Sequence, residues 1–368
     1  MGLELADIFR QYGPAYRQKY ADRLLPSHRQ AMRAIEQCRT EVLGGQVYHC
    51  PQCNQLRYSY HSCRNRHCPK CQNERAQEWL ETQKALLLAA PYFMLTFTLP
   101  AALQQVARSH QSLFYDLLFR TSAAAAQRLA QDPRFVGGQL GMIGILHTWG
   151  RNLSYHPHIH YLIPAGGWTA DPLTWLAARQ NFLFPVKALS RIFRAKFRHA
   201  LLKTDLVQGI PPAVWRQEWV VHCKSVGDGK TALKYLAPYI FRVAISNRRL
   251  VKLENDQVTF RYRTSDTGQL RLCTLPAEEF IHRFLQHVLP KGFVKVRYFG
   301  FFAPGCRSRL VALRQKLELL SLDNLTPAET QPDRRSSPSK PLPTFCCPVC
   351  GLPMRRLHTI QPTGRCPP

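Results

Sequence analysis

Two Cys-x-x-Cys pairs, Cys50 with Cys53 and Cys68 with Cys71, stand 14 residues apart, and this spacing constrains the local fold more than any other feature of the chain. Each pair turns the backbone so that both sulfurs face one point, and two such knuckles can wrap one tetrahedral zinc ion. The expected structural site is therefore Cys50, Cys53, Cys68 and Cys71. Cys38, Cys63 and His67, with His49 and His61, are further donors in the same stretch; two of them could replace members of that set, or some could form a second site. Cys346, Cys347, Cys350, His358 and Cys366 make a less regular group near residue 350. The 13 cysteines are an odd number in clusters, and the first residues, MGLELADIFRQYG, carry Glu4 and Asp7 instead of the apolar core of a secretory leader. Metal thiolates in a reducing compartment are expected rather than a disulfide frame, which points to the cytoplasm.

Lys and Arg number 50 against 23 Asp and Glu, giving a formal charge of +27 over 368 residues. Hydrophobic residues still make up 45% of the chain, so the excess belongs to a folded cationic protein and calls for a polyanionic partner. A membrane surface is excluded as a spanned partner, because no stretch approaches the roughly 18 apolar residues of a transmembrane helix. Nucleic acid remains. Arg64, Arg66 and Lys70 lie beside the cysteine knuckles near Tyr58 and Tyr60, and Lys234, Arg242, Arg248 and Arg249 form a second basic group. Both suit phosphate contact.

Periodicity predicts two short helices over 5–38, a helix over 73–90 stopped by Pro91, and a strand over 93–100. Helix returns over 101–131. MIGILHTW (142–149) and PHIHYLI (157–163) read as the strands of a hairpin, and RLVKLENDQVTFRYR (249–263) as another, turning at Glu254, Asn255 and Asp256. Residues 187–203 predict an amphipathic helix with Phe193, Phe197 and Leu201 inward and Arg191, Arg194 and Arg198 on another face. A strand is expected over 219–226 and a helix over 230–245. Residues 322–343, rich in Pro, Ser and Asp, read as a linker.

In a strand, His158 and His160 point to one face while Ile159 points to the other, which makes the edge of a metal site. If the hairpin turns between Asn152 and Leu153, His147 lies opposite His158 and is the best third ligand, with His156 next. Tyr235 and Tyr239, four apart in YLAPY, either present both hydroxyls on one side of a helix or form an ordinary aromatic stripe in the core, and Pro238 lies between them. A tyrosine oxygen near a metal-held phosphate can act as a nucleophile, and no GxxxxGK[ST] nucleotide-binding loop occurs.

LHTWGRNLSYHPHIHYLIPAGG (146–167) and KYLAPYIFRVAISNRRL (234–250), with CRTEVLGG (38–45) and SCRNRHCPKCQ (62–72) upstream, resemble the HUH-class rolling-circle transposases of the insertion sequence ninety-one family. The resemblance runs from roughly residue 20 to 310 and includes the transposase zinc-binding module. It implies that His158 and His160 hold a catalytic Mg²⁺ or Mn²⁺, and that Tyr235 and Tyr239 are the candidate nucleophiles. It further implies a 5′-phosphotyrosine on single-stranded DNA with release of a 3′ hydroxyl.

The expected architecture is α+β: a helical, zinc-ribbon DNA-binding module over 1–90, a HUH-type antiparallel sheet flanked by helices over 91–310, and a flexible linker and cysteine-bearing tail over 311–368. The expected function is transposition, with zinc as structural cofactor, no nucleotide cofactor and no membrane. The rivals are a plasmid replication initiator or relaxase, and a non-enzymatic zinc-dependent regulator.

Overall fold

The computed structural model describes residues 2–84, 86–169, 174–231, 233, 244–264, 267–322 and 345–363. Helix α1 (Leu5–Lys19) starts where Asp7 Oδ2 accepts a 2.9 Å bond from the Glu4 N–H, and it buries Leu5, Ile8, Phe9 and Tyr16. Pro26, whose fixed φ suits a first helical position, opens α2 (Pro26–Gln37), which buries Met32 and Ile35. Strands β1 (Gly45–His49) and β2 (Leu56–Tyr60) pair as a hairpin, and α3 (Gln72–Lys84) follows.

The site is carried by a five-stranded antiparallel sheet. Strand β3 (Pro91–Thr98) enters it, helices α4 (Ala101–Ser109) and α5 (Gln111–Ala130) cross one face, and β4 (Gly141–Trp149) and β5 (Tyr155–Pro164) form the central hairpin. A small hairpin of β6 (Gly166–Thr169) and β7 (Thr174–Ala177) leads on to α6 (Val186–Leu201) and then β8 (Val221–Asp228). Strands β9 (Leu250–Glu254), β10 (Gln257–Arg263) and β11 (Leu270–Pro276) make a separate sheet capped by α7 (Ala277–Leu285). Strand β12 (Val296–Gly300) returns to the edge of the main sheet, giving the order β12-β4-β5-β3-β8. Helix α8 (Arg307–Leu322) and strand β13 (Arg355–Ile360) complete the described elements.

Alternation along the strands divides the main sheet between two cores. Phe93, Leu95, Phe97, Ile159 and Tyr161 face α5 and α6, where Phe114, Phe193 and Phe197 are fully buried. Met94, Ile143, Ile145 and Leu162 face the other way and meet Leu310 and Leu313 of α8 together with Leu233. A third core joins distant sequence: Phe9 of α1 packs edge-on against Phe284 of α7 at 5.4 Å, and Cys38, Cys63 and Cys68 lie in the same cluster as Phe260 and Phe280. The module expected over 1–90 thus shares its core with residues 244–288. No described helix is long and apolar enough to cross a membrane.

The tail departs from the expectation of a flexible 311–368. Residues 307–322 are helical, and β13 pairs antiparallel with β1, placing Gly45 opposite Ile360 and His49 opposite Arg355. The resulting sheet has the order β13-β1-β2. The linker expected over 322–343 lies outside the described residues except for its first position.

Candidate active site and metal centres

Three histidines converge on the sheet face that also carries Met94, Ile145 and Leu162. The β4–β5 register sets His147 opposite His158, and the two-residue strand period puts His160 on the same side. Ring centroids lie 5.3 Å apart for His147 and His158, 4.9 Å for His147 and His160, and 4.8 Å for His158 and His160. One nitrogen from each ring lies within 4.8 Å of the others, a triangle that can hold a metal on one side and leave the rest of its coordination open. The His156 ring lies 5.3 Å from that of His158 but is not part of the triangle.

The neighbours orient the rings. His158 Nδ1 donates to the His156 carbonyl at 2.7 Å, so in the neutral ring Nε2 carries the lone pair. His160 Nδ1 bonds the Thr96 hydroxyl at 2.8 Å across the β3–β5 pair. Burial, reinforced by His160, pushes His158 down to about 3, and burial pushes His160 down to about 4. Both rings are therefore neutral at pH 7, the form that ligates a metal. Trp149 stacks on His147 at 5.2 Å, and Lys295 Nζ lies 4.9 Å from the Trp149 ring, one ring behind the site, where burial pushes its amine down to about 7. Thr96 and Lys295 were not among the sequence candidates, because only the strand order brings them here.

The cysteines form two groups of four. Cys38, Cys63, Cys68 and Cys71 make one, and Cys50, Cys53, Cys347 and Cys350 the other. This replaces the expected set: Cys50 and Cys53 do not meet Cys68 and Cys71. The reason lies in the backbone. Cys68 and Cys71 run directly into α3 and are held against Cys38 at the end of α2, whereas Cys50 and Cys53 leave the edge of β1 and face the tail. In the first group Cys71 Sγ lies 3.4 Å from Cys38 Sγ and 3.6 Å from Cys63 Sγ; in the second, Cys50 and Cys350 sulfurs are 3.5 Å apart. A disulfide needs about 2.05 Å. Zinc–sulfur bonds of about 2.3 Å in a tetrahedron place the sulfurs about 3.8 Å apart, so the spacing fits a shared metal. Hydrogen bonds from Cys63 and Cys68 hold the Cys38 thiol below the usual thiol range, favouring the thiolate. His67, a candidate extra zinc donor, is instead turned to accept the Leu289 N–H at 3.3 Å.

Of the candidate DNA contacts, Arg64 and Arg248 are exposed. Arg66 is turned inward, donating to the carbonyls of Phe293 at 2.6 Å and Pro290 at 2.7 Å, and Arg249 donates to the Arg261 carbonyl at 2.9 Å; these two tie segments together. Lys70 is paired with Glu4. Tyr235, Tyr239, Lys234 and Arg242 lie outside the described residues.

A folded cationic chain with thiolate metal sites and a histidine triangle on an antiparallel sheet fits the class of DNA-cleaving and rejoining enzymes, and comparison with known proteins identifies which. Residues 8–99 match the family described as "Transposase zinc-binding domain" and residues 141–309 the family described as "Putative transposase". The chain is similar to "Putative transposase y4qJ" of Sinorhizobium fredii (strain NBRC 101917 / NGR234), with 41% identity over 90% of this chain and 87% of that protein. It is also similar to the transposase for insertion sequence element IS801 of Pseudomonas savastanoi pv. phaseolicola, with 32% identity over 72% of this chain and 68% of that protein. No solved structure matches. The chain belongs to the insertion sequence ninety-one family of transposases.

Proposed function

We propose that this transposase is a HUH-class nuclease that moves its element by rolling-circle transfer of single-stranded DNA through a covalent phosphotyrosine. The observation that carries the reading is the triangle of His147, His158 and His160, with rings held neutral and oriented from behind. Such a site suits Mg²⁺ or Mn²⁺ completed by phosphate oxygens and water, and a cation there would polarise the scissile phosphate. His158 and His160 would fix the phosphate's position by fixing the cation's, and His147 would close the third side.

Tyr235 and Tyr239 are the proposed nucleophiles. The phenolic oxygen attacks phosphorus, forming the Tyr–O–P bond as the P–O3′ bond breaks, so the leaving strand keeps a 3′ hydroxyl. The phenol proton must leave as the bond forms, since a tyrosine with a pKa near about 10 is not ionised at neutrality. The ester conserves the phosphodiester energy, and a later 3′ hydroxyl reverses the step on a new strand. Support comes from Leu233, two residues before Tyr235, which is buried in the core on the same sheet face as the histidines. Exposed Arg64 and Arg248 are proposed phosphate contacts within a chain of formal charge +27. Lys234 and Arg242 are proposed to join them.

The test is a single-stranded oligonucleotide carrying the element's terminus, incubated with Mn²⁺. A detergent-resistant adduct on the 5′ end is expected, lost in the Tyr235→Phe, Tyr239→Phe double variant and in His158→Ala, with DNA binding retained. An adduct that survives the double variant overturns the mechanism.

A further inference from the structure

The second group of cysteines joins sequence 300 residues apart: Cys50 and Cys53 lie within residues 8–99 matched by the zinc-binding family, and Cys347 and Cys350 lie outside that segment. We infer that Cys50, Cys53, Cys347 and Cys350 form a second, separate zinc site, a ribbon split between the N-terminal module and the 345–363 tail, whose metal clamps the tail onto β1. This inference is independent of the nuclease reading.

The two halves are built alike. Cys50-Pro51-Gln52-Cys53-Asn54 and Cys347-Pro348-Val349-Cys350-Gly351 share the pattern Cys-Pro-x-Cys followed by Asn or Gly. Their backbones share a hydrogen-bond pattern. The Cys50 carbonyl accepts the Asn54 N–H at 2.9 Å and the Cys50 N–H donates to Gln55 at 2.9 Å; the Cys347 carbonyl accepts the Gly351 N–H at 2.8 Å and the Cys347 N–H donates to Leu352 at 2.8 Å. The residue after each second cysteine takes a positive φ, 55° at Asn54 and 74° at Gly351, a conformation that these two residue types tolerate best. Cys68-Pro69-Lys70-Cys71 is followed by Gln72 and enters a helix, so it cannot make this turn. Two matched knuckles brought face to face, with sulfurs 3.5 Å apart, present four thiolates to one point.

The surrounding packing is thin. The local cluster contains Cys50, Cys347 and Met354 as its buried members, supported by Phe345 stacked on Tyr48 at 4.2 Å and by the Arg57 guanidinium 5.0 Å from the Phe345 ring. So small a core needs a further tie, and in metal ribbons the ion supplies it. Zinc suits the all-thiolate, four-donor set.

Metal content of the full chain decides the stoichiometry. The wild-type protein should carry two zinc ions, and Cys347→Ser, Cys350→Ser should carry one. A variant in which Cys63→Ser and Cys68→Ser empty the other site should retain one, unless it fails to fold. For that case, a protease site inserted in 331–340 of the otherwise wild-type chain gives a second measurement. After cutting, the tail fragment should co-elute with the rest of the chain in zinc and separate when a chelator is added. One zinc per wild-type chain, an undiminished count in the tail variant, bound iron, or a tail that leaves in zinc or stays after chelation overturns the inference.

Discussion

Thr96 Oγ1 sits 2.8 Å from His160 Nδ1, a contact that helps orient one ring of the triangle. Removing an outer partner of a metal-bound histidine weakens metal affinity by roughly 10–100-fold. Thr96→Val is therefore expected to lower Mn²⁺ affinity by about that factor with little change in melting temperature, and Thr96→Ser to restore it; calorimetric titration with Mn²⁺ measures both. Equal affinity in wild type and Thr96→Val would remove Thr96 from the site. Residue by residue, the sequence made His147 and the alternating His158 and His160 visible through strand period and a guessed turn. It left Thr96 and Lys295 invisible, since neither is near the histidines along the chain. The cysteines show the opposite failure: both Cys-x-x-Cys pairs were plain, but spacing alone paired them with each other. The residue after each pair, Asn54 and Gly351 against Gln72, carried the information that separates them.

Among elements, the β4–β5 hairpin was legible in register from Ile143 opposite Leu162 to His147 opposite His158, but the register shifts beyond His147, where Trp149 pairs with Tyr155 instead of His156. The second hairpin was equally plain, since Asn255 and Asp256 both take positive φ, 49° and 58°, as a two-residue turn requires. Helix 101–131 was read as one element but breaks at His110, whose ψ of 47° ends α4 before α5 begins. Strand β12 was missed, for its five residues gain their place only by pairing with Gly141 through Ile145. The stripe of α6 is buried as its spacing implied: Phe193, Phe197 and Leu201 are fully enclosed, and Phe197 meets Trp219 at 5.3 Å. Phe197→Ala should destabilise the fold by about 3–5 kcal/mol in urea titration, the usual penalty for emptying a packed aromatic site. A loss below about 1 kcal/mol would mean that the α6 interface closes over the gap. Leu153 belongs to both stories: it sits at φ 66° on the hairpin tip yet is fully buried in the core shared with α1 and α7. Leu153→Ala should therefore loosen that core, by about 2–5 kcal/mol, without altering the strand register.

At the scale of the whole molecule, composition disclosed a cationic metalloprotein, but the way 345–363 closes onto β1 and the way 5–71 shares a core with 244–288 are long-range pairings that no local pattern encodes. The same closure buries several histidines, and this sets the acid limit of the fold. Burial pushes His28 down to about 4, helped by His282, and His287 down to about 4. A histidine lowered in the folded state lets the unfolded chain take up protons first, so stability is full above about 6.5 and falls as pH drops toward the folded value. His28 is the informative member, because its Nε2 is buried without a hydrogen-bond partner among the described residues, so its replacement breaks no hydrogen bond of that atom there. His28→Leu should be at least as stable as wild type at pH 7.5, and the variant should gain up to about 2 kcal/mol over wild type on going to pH 5. Thiolate protonation also weakens the protein in acid, but both chains keep the same cysteines, so the difference between their urea midpoints at the two pH values cancels that contribution. If the difference between variant and wild type is the same at pH 7.5 and pH 5, His28 titrates normally in the folded chain and the acid sensitivity must be assigned to the cysteines and the remaining histidines.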